Sequence, residues 1–252
     1  MTIAEIKKML ESSEAADLPQ LLASLEGDSR AGVKKLVEYY KRWYNKACDE
    51  NKRLVGLRYF EERYKSFGHI CGVDEAGAGP LAGPVAAAAV ILPKGCLIEG
   101  INDSKKLSAK KRSELARIIK QKAVAWHVAL LDNECIDAIN ILQARLKVMA
   151  AAVDGLAVTP GFVLFDGDKA PATKAGLPHA GLIGGDAKSI SIAAASILAK
   201  VERDAVMDDF NEIYPEYGFD RNKGYGTAEH LTAIKKHGIT PIHRRSFLEK
   251  YL

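Results

Sequence analysis

Two adjacent carboxylates, Asp74 and Glu75, follow an apolar run of Ile70, Cys71 and Val73 and precede glycines at 77, 79 and 83. Acid beside bare backbone suits chemistry on an anionic substrate. Carboxylates hold hard divalent cations, and glycine lets a ligand reach main-chain N–H groups. A lone acidic pair is most often a solvated turn, but two more acids repeat the setting. Asp166 ends the apolar run 162–165 and precedes Gly167, and Asp186 follows Gly184 and Gly185, where it is expected to open a long helix. Sites in open α/β sheets gather at strand ends, so these acids suggest one shared site. Successive strand residues face opposite sides. Asp74 and Glu75 are therefore expected to share a target by the strand ending between them and the chain turning.

The elements that must position these acids can be read from pattern. The run at 70–73 and the small-residue run VAAAAVIL at 85–92 form a hairpin with acid at its mouth. Ser108 caps a helix that runs through residue 122, and 124–131 is a third strand. A single helix over 133–156 carries Ile136, Ile139, Leu142, Leu146 and Met149, and the 162–165 strand follows. Strands followed by alternating helices and strands predict an α/β fold. The first 67 residues read as helical. Thr2 and Glu5 form a capping box ahead of Ile6, Met9 and Leu10. Ser29 caps a longer helix carrying Val33, Leu36, Val37, Tyr40 and Tyr44 on one stripe, continuing through Leu54 and Leu57. Trp43, Tyr44, Arg53, Arg58, Tyr59, Phe60 and Arg63 could grip nucleic acid, but aromatics at helical spacing read first as packing residues. The division expected is a helical extension over 1–67 and a catalytic domain over 68–252.

Charge and composition narrow the classes. Of 252 residues, 48% are hydrophobic, ample for a buried core, and the net charge is +4. Residues 30–65 hold 11 Lys or Arg against 5 acids, and 221–252 hold 7 against 2, which suits a polyanionic partner. Cysteines 48, 71, 96 and 135 show no C-x-x-C pairing, and there is no leader-like or 18-residue apolar run. A reduced, cytoplasmic setting without a membrane partner is expected. None of the six histidines has metal-ligand spacing, and neither a G-x-S-x-G elbow nor a G-x-x-x-x-G-K-[ST] loop occurs. Zinc hydrolases, serine hydrolases and nucleotide switches lose support.

Five segments carry a family resemblance: GVDEAGAGPLAGPV, NDSKKLS at 102–108, GDAKSISIAAASILAKVERD at 185–204, YGFDRNKGYGTAEH at 217–230 and TPIHRRSF at 240–247. Together, over residues 68–252, the chain resembles bacterial ribonuclease HII, the type 2 ribonuclease H family. The resemblance implies a ribonuclease H-like mixed β-sheet flanked by helices. It implies that Asp74, Glu75, Asp166 and Asp186 are the catalytic, metal-binding quartet for two Mg²⁺ or Mn²⁺ ions. Asp103, Asp168 and Asp204 are weaker candidates that it does not place among the ligands. The implied reaction is endonucleolytic cleavage of the RNA strand of RNA–DNA hybrids, and of duplex DNA on the 5′ side of an embedded ribonucleotide. Rival readings are a hybrid-binding protein without catalysis and a DNA-directed nuclease of the same architecture.

Substrate contacts are also implied. Main-chain groups at Gly77, Ala78 and Gly79 correspond to the family's Gly-Arg-Gly loop, which reads the 2′-hydroxyl. Ala78 departs from that pattern. Tyr225 resembles the tyrosine that packs on the sugar at an RNA-to-DNA junction. Lys105, Lys200, Ser189 and Ser191 are further candidates to meet the substrate, helped by a helix N-terminus. A monomer is expected. Tyr251 and Leu252 end the sequence without an evident clamp-binding motif.

Overall fold

The computed structural model describes residues 1–249, so Tyr251 and Leu252 lie outside the described residues. The chain divides into two units, 1–55 and 56–252. The helices in chain order are α1 (Ile3–Ser12), α2 (Leu18–Leu25), α3 (Ala31–Leu57), α4 (Tyr59–Arg63), α5 (Ala109–Lys122), α6 (Asn133–Ile139), α7 (Ile141–Asp154), α8 (Ile190–Ile213), α9 (Phe219–Asn222), α10 (Ala228–His237) and α11 (Arg245–Leu248). No helix among the described residues is long and apolar enough to cross a membrane.

In the first unit, Ile6, Leu10, Leu18, Leu22, Val33 and Val37 make a small apolar core, with Tyr40 and Tyr44 packed on it. Thr2 and Glu5 form the expected capping box. The first intrahelical bond of α3 runs from Lys34 N–H to the carbonyl of Arg30, so the helix starts at Arg30 and not at Ser29. Trp43 is 51% exposed.

The second unit is built on strands β1 (Ile70–Ala76), β2 (Val85–Ile91), β3 (Ala125–Leu131), β4 (Phe162–Asp166) and β5 (His179–Leu182). Their order is β3-β2-β1-β4-β5. The β1–β2 and β2–β3 pairs are antiparallel, and β1–β4 and β4–β5 are parallel. Residues 56–67, which the sequence groups with the N-terminal helices, belong to this unit because their aromatics pack on the sheet. Tyr64 stacks on Phe162 at 4.0 Å.

Side-chain size decides how helices approach the sheet. Cys71, Val73, Val85, Ala87 and Ala89 face Ala144, Val148, Ala152 and Val153 of α7 in one buried cluster. On the other face, a Cβ added at Gly72 would lie 2.1 Å from the Ser191 carbonyl carbon, so α8 can lie this close only over glycine. Ser108 caps α5 as the sequence predicts. The single helix expected over 133–156 is broken into α6 and α7. Asn140 takes φ 64° and caps α7 by accepting from Gln143 N–H. Asparagine tolerates a positive φ and offers a capping oxygen, and past the break Ala144, Val148 and Met149 are buried while Leu142 and Leu146 of the expected stripe are half-buried.

Candidate active site

Both acids of the pair lie inside β1, correcting the expectation that the strand ends between them. Asp74 pairs with Ala88 and Glu75 with Ala87, and the turn follows Ala76. They therefore point to opposite faces. Asp74 meets Ser196 of α8, and Glu75 forms a 2.6 Å ion pair with Arg145 of α7. Burial, then the charges of Glu75 and Asp166, push the Asp74 carboxyl well above its ordinary range. Glu75 is also raised, chiefly by burial, although Arg145 opposes the shift. Its Oε2 is buried and accepts no hydrogen bond.

Asp166 is the common neighbour. At the end of β4, its Oδ1 accepts from Gly185 N–H at 2.6 Å, and its charge acts on Asp74, Glu75 and Asp186 alike. Asp186 sits in a short 3-10 turn, Gly185–Ala187, and does not open α8, whose N-cap is Ser189. Asp186 is raised by burial, then by Asp103 and Asp166, and it shares a hydrogen bond with Asp103. Asp103, set aside on sequence, is thus Asp186's direct partner, held in the 102–108 loop where its Oδ1 accepts from Lys105 N–H. The exposed Lys105 lowers both Glu75 and Asp186 electrostatically. Asp168, two residues beyond Asp166, is exposed.

Among the described residues, no three acids, histidines or cysteines already close on one point as metal ligands do. The set nonetheless fits a divalent cation. It is all oxygen, it includes a buried orphan oxygen on Glu75, and Asp74, Glu75 and Asp186 are each pushed toward the neutral form.

The glycine loop beyond β1 is held from below by two arginines that the sequence reading passed over. Arg203 and Arg244 are both fully buried. Arg244 donates to the carbonyls of Gly77 (2.7 Å), Ala78 (3.0 Å), Gly83 (3.0 Å) and Pro84 (3.1 Å). Arg203 donates to those of Ala82 (3.3 Å), Pro84 (3.2 Å) and Lys223 (2.8 Å). Gly77 has φ 88°, and a Cβ there would meet Arg203 Nε at 2.2 Å, so both conformation and space demand glycine. Gly79 is exposed, and the Tyr225 ring edge lies 3.6 Å from where its Cβ would be. Tyr225 is 44% exposed and therefore open to a ligand.

Three of the proposed phosphate contacts have other partners. Lys200 pairs with Asp204 at 2.7 Å and lies over the Tyr225 ring, so its charge is already matched. Ser189 and Ser191 are fully buried, which corrects their expected role in meeting substrate. Glu61 Oε1 accepts from both hydroxyls, at 2.5 and 2.6 Å, and from Ser191 N–H at 3.0 Å. The anion at this helix N-terminus is the protein's own. Glu61→Ala strands buried donors at the start of α8 and is expected to cost about 2 kcal/mol. A urea denaturation curve measures this, and an unchanged midpoint sets the anchoring role aside.

A mixed sheet in this order, with carboxylates at the shared end of its two central parallel strands, defines a hydrolase of the ribonuclease H-like class. The chain belongs to the ribonuclease HII family. The family model described as Ribonuclease HII matches residues 71–250, and that of the Ribonuclease HII N-terminal domain matches residues 2–65. The chain is 46% identical to a Ribonuclease HII of Desulfitobacterium hafniense over 249 residues, covering 98% of this chain and 94% of the relative. It is 47% identical to one of Enterococcus faecalis, with coverage of 98% and 96%. The crystal structure of the ribonuclease H2 from Pyrococcus horikoshii OT3 superposes with a TM-score of 0.62 at 27% identity, covering 73% of this chain and 96% of that one. Membership makes the protein an endonuclease of the ribonuclease H type.

Proposed function

We propose that the protein hydrolyses the RNA strand of RNA–DNA hybrids and incises duplex DNA on the 5′ side of embedded ribonucleotides, leaving 3′-hydroxyl and 5′-phosphate ends. It works as a cytoplasmic monomer. The observation that supports this reading is the charge of Asp166 acting on Asp74, Glu75 and Asp186 alike, with Glu75 Oε2 left unsatisfied. These four side chains would hold two Mg²⁺ or Mn²⁺ ions. When bound, such ions clamp the scissile phosphate and stabilise the attacking and departing oxygens.

The chain's other residues orient this site. Arg145 favours the ionised form of Glu75. Lys105 presents an exposed positive charge beside the acids, where a phosphate of the cleaved strand runs. Arg244 turns the carbonyls of Gly77 and Ala78 inward, and the opposite side of the loop peptides meets the 2′-hydroxyl. Tyr225, beside Gly79, packs on the next sugar.

The decisive assay uses three matched duplexes, with one ribonucleotide, all DNA and all RNA in the cleaved strand, each with and without Mg²⁺. Metal-dependent cutting next to the single ribonucleotide, and none of the all-DNA duplex, is expected. Equal cutting of DNA assigns a DNA-directed nuclease, and binding without cutting assigns a hybrid-binding protein.

Ala78 makes its own prediction. Ala78 is half-buried in the glycine loop. An arginine there would add a charge-assisted phosphate contact of about 1.5 to 3 kcal/mol. Ala78→Arg is expected to raise kcat/KM on the single-ribonucleotide duplex by about tenfold or more. An unchanged value removes this account of the loop.

A further inference from the structure

The segment from Thr240 to Arg244 reaches both sides of the surface assigned to substrate. Arg244 holds the glycine loop, and one residue earlier His243 begins a chain of hydrogen bonds that ends on Tyr225. The Thr240 N–H donates to His243 Nδ1 at 2.9 Å, and the Thr240 hydroxyl lies 2.8 Å from the same nitrogen. A neutral ring nitrogen that accepts carries no proton, so His243 is protonated on Nε2. That atom lies 3.0 Å from His230 Nε2, which must accept, leaving the His230 proton on Nδ1. His230 Nδ1 lies 2.9 Å from the Tyr225 carbonyl, which can only accept. One pair of tautomers satisfies every link.

The surroundings keep both rings neutral. They are fully or almost fully buried against Tyr217 and Phe219. Glu229 acts on His230 from the same helix, but its carboxylate is engaged by Arg221. His237 lies across Tyr217, and Arg244 follows His243 with its guanidinium turned to loop carbonyls. Among the described residues, no carboxylate hydrogen-bonds either imidazole.

We propose that His243 and His230 are positioning residues for Tyr225, and that protonating this pair at acidic pH frees Tyr225 from the glycine loop and weakens substrate binding. A proton added to His230 goes onto Nε2 and sets two N–H donors face to face at the Nε2–Nε2 contact, and one added to His243 goes onto Nδ1, where it faces the Thr240 N–H. Burial depresses both rings, His243 from 6.5 to about 4, so both stay neutral at mildly acidic pH and the contact is lost only as pH falls toward the depressed values. The inference rests on the reading of Tyr225 as a substrate-facing residue.

Steady-state kinetics of the full chain on the single-ribonucleotide duplex, at fixed Mg²⁺, test it with Tyr225→Ala, His243→Asn and the double variant. Tyr225→Ala is expected to raise KM severalfold. His243→Asn is expected to raise it by a similar factor with kcat nearly unchanged, and the double variant to be no worse than Tyr225→Ala. The rise in KM of the unsubstituted protein as pH falls toward 4 is expected to flatten in both single variants. If Tyr225→Ala leaves KM unchanged, the reading of Tyr225 falls and takes this inference with it. If Tyr225→Ala raises KM but His243→Asn does not, or the two effects multiply in the double variant, the positioning role alone is overturned. Imidazole ¹⁵N spectra of the unsubstituted protein guard against misfolded variants. Neutral rings at pH 7, protonated on Nε2 of His243 and Nδ1 of His230, are expected, and a charged ring or the opposite tautomers overturn the proposal.

Discussion

Asp74→Asn is expected to lower strand cleavage by about a thousandfold or more while raising the melting temperature of the metal-free protein. The two effects have one cause. Asp74 is buried at 5% exposure, beside Glu75 and within the field of Asp166. Its ionised form is unfavourable in the folded chain and harmless in the unfolded one. A carboxyl whose folded pKa is raised binds its proton more tightly in the folded state. Its burial is least costly below the ordinary value of 3.8, and the stability that neutrality provides is lost as pH rises through the raised value. Asparagine keeps the oxygen that accepts from Glu75 N–H and carries no charge. Melts in chelator at pH 5 and pH 8 should therefore show the larger gain at pH 8. Adding Mg²⁺ should stabilise the parent protein and do much less for the variant, because a ligand bound only to the native state adds stability by mass action. A variant that melts lower than the parent at pH 8, or that still cleaves well, removes Asp74 from the metal-binding role.

What the sequence revealed and what it hid divide along physical lines. Local chemistry was legible. The capping oxygens of Thr2 and Ser108, the small-residue strand β2 and the acids beside glycine each carry their signal within a few positions. The ribonuclease H-like sheet was expected from the resemblance and not from periodicity, which gives only an α/β fold. Contacts made at long range were not legible. The Ser189 and Ser191 hydroxyls at a helix start look like phosphate ligands until Glu61, over 120 positions away, is found holding them. Asp103 is a weaker candidate on sequence because the resemblance does not place it among the ligands and nothing local links it to Asp186, and Arg145 carries no signal, since one arginine on a helix has no distinguishing neighbours. The alternation of a strand could have settled the faces of Asp74 and Glu75, had its end been placed after Ala76.

Arg244→Met is expected to be the most destabilising of these substitutions, costing about 3 to 5 kcal/mol, and to impair cleavage in whatever fraction folds. The guanidinium is fully buried and has four carbonyl partners within 3.1 Å on the loop from Gly77 to Pro84. Burial and the nearby Arg203 push it down from its ordinary range, and the charge is kept in place by those carbonyls, with Asp137 favouring it electrostatically. Methionine fills part of the volume but leaves the carbonyls without donors, and each buried acceptor so stranded costs about 1 to 3 kcal/mol. Arg244→Lys separates charge from geometry. An ammonium has three donors around one point and cannot span four acceptors held by a planar fork, so lysine should recover little of the loss. Urea unfolding measures the stability of both variants, and KM on the single-ribonucleotide duplex reports the loop. If lysine restores both, positive charge alone secures the loop. If methionine leaves both unchanged, the loop keeps its shape without Arg244, and the carbonyl clamp has no part in reading the substrate.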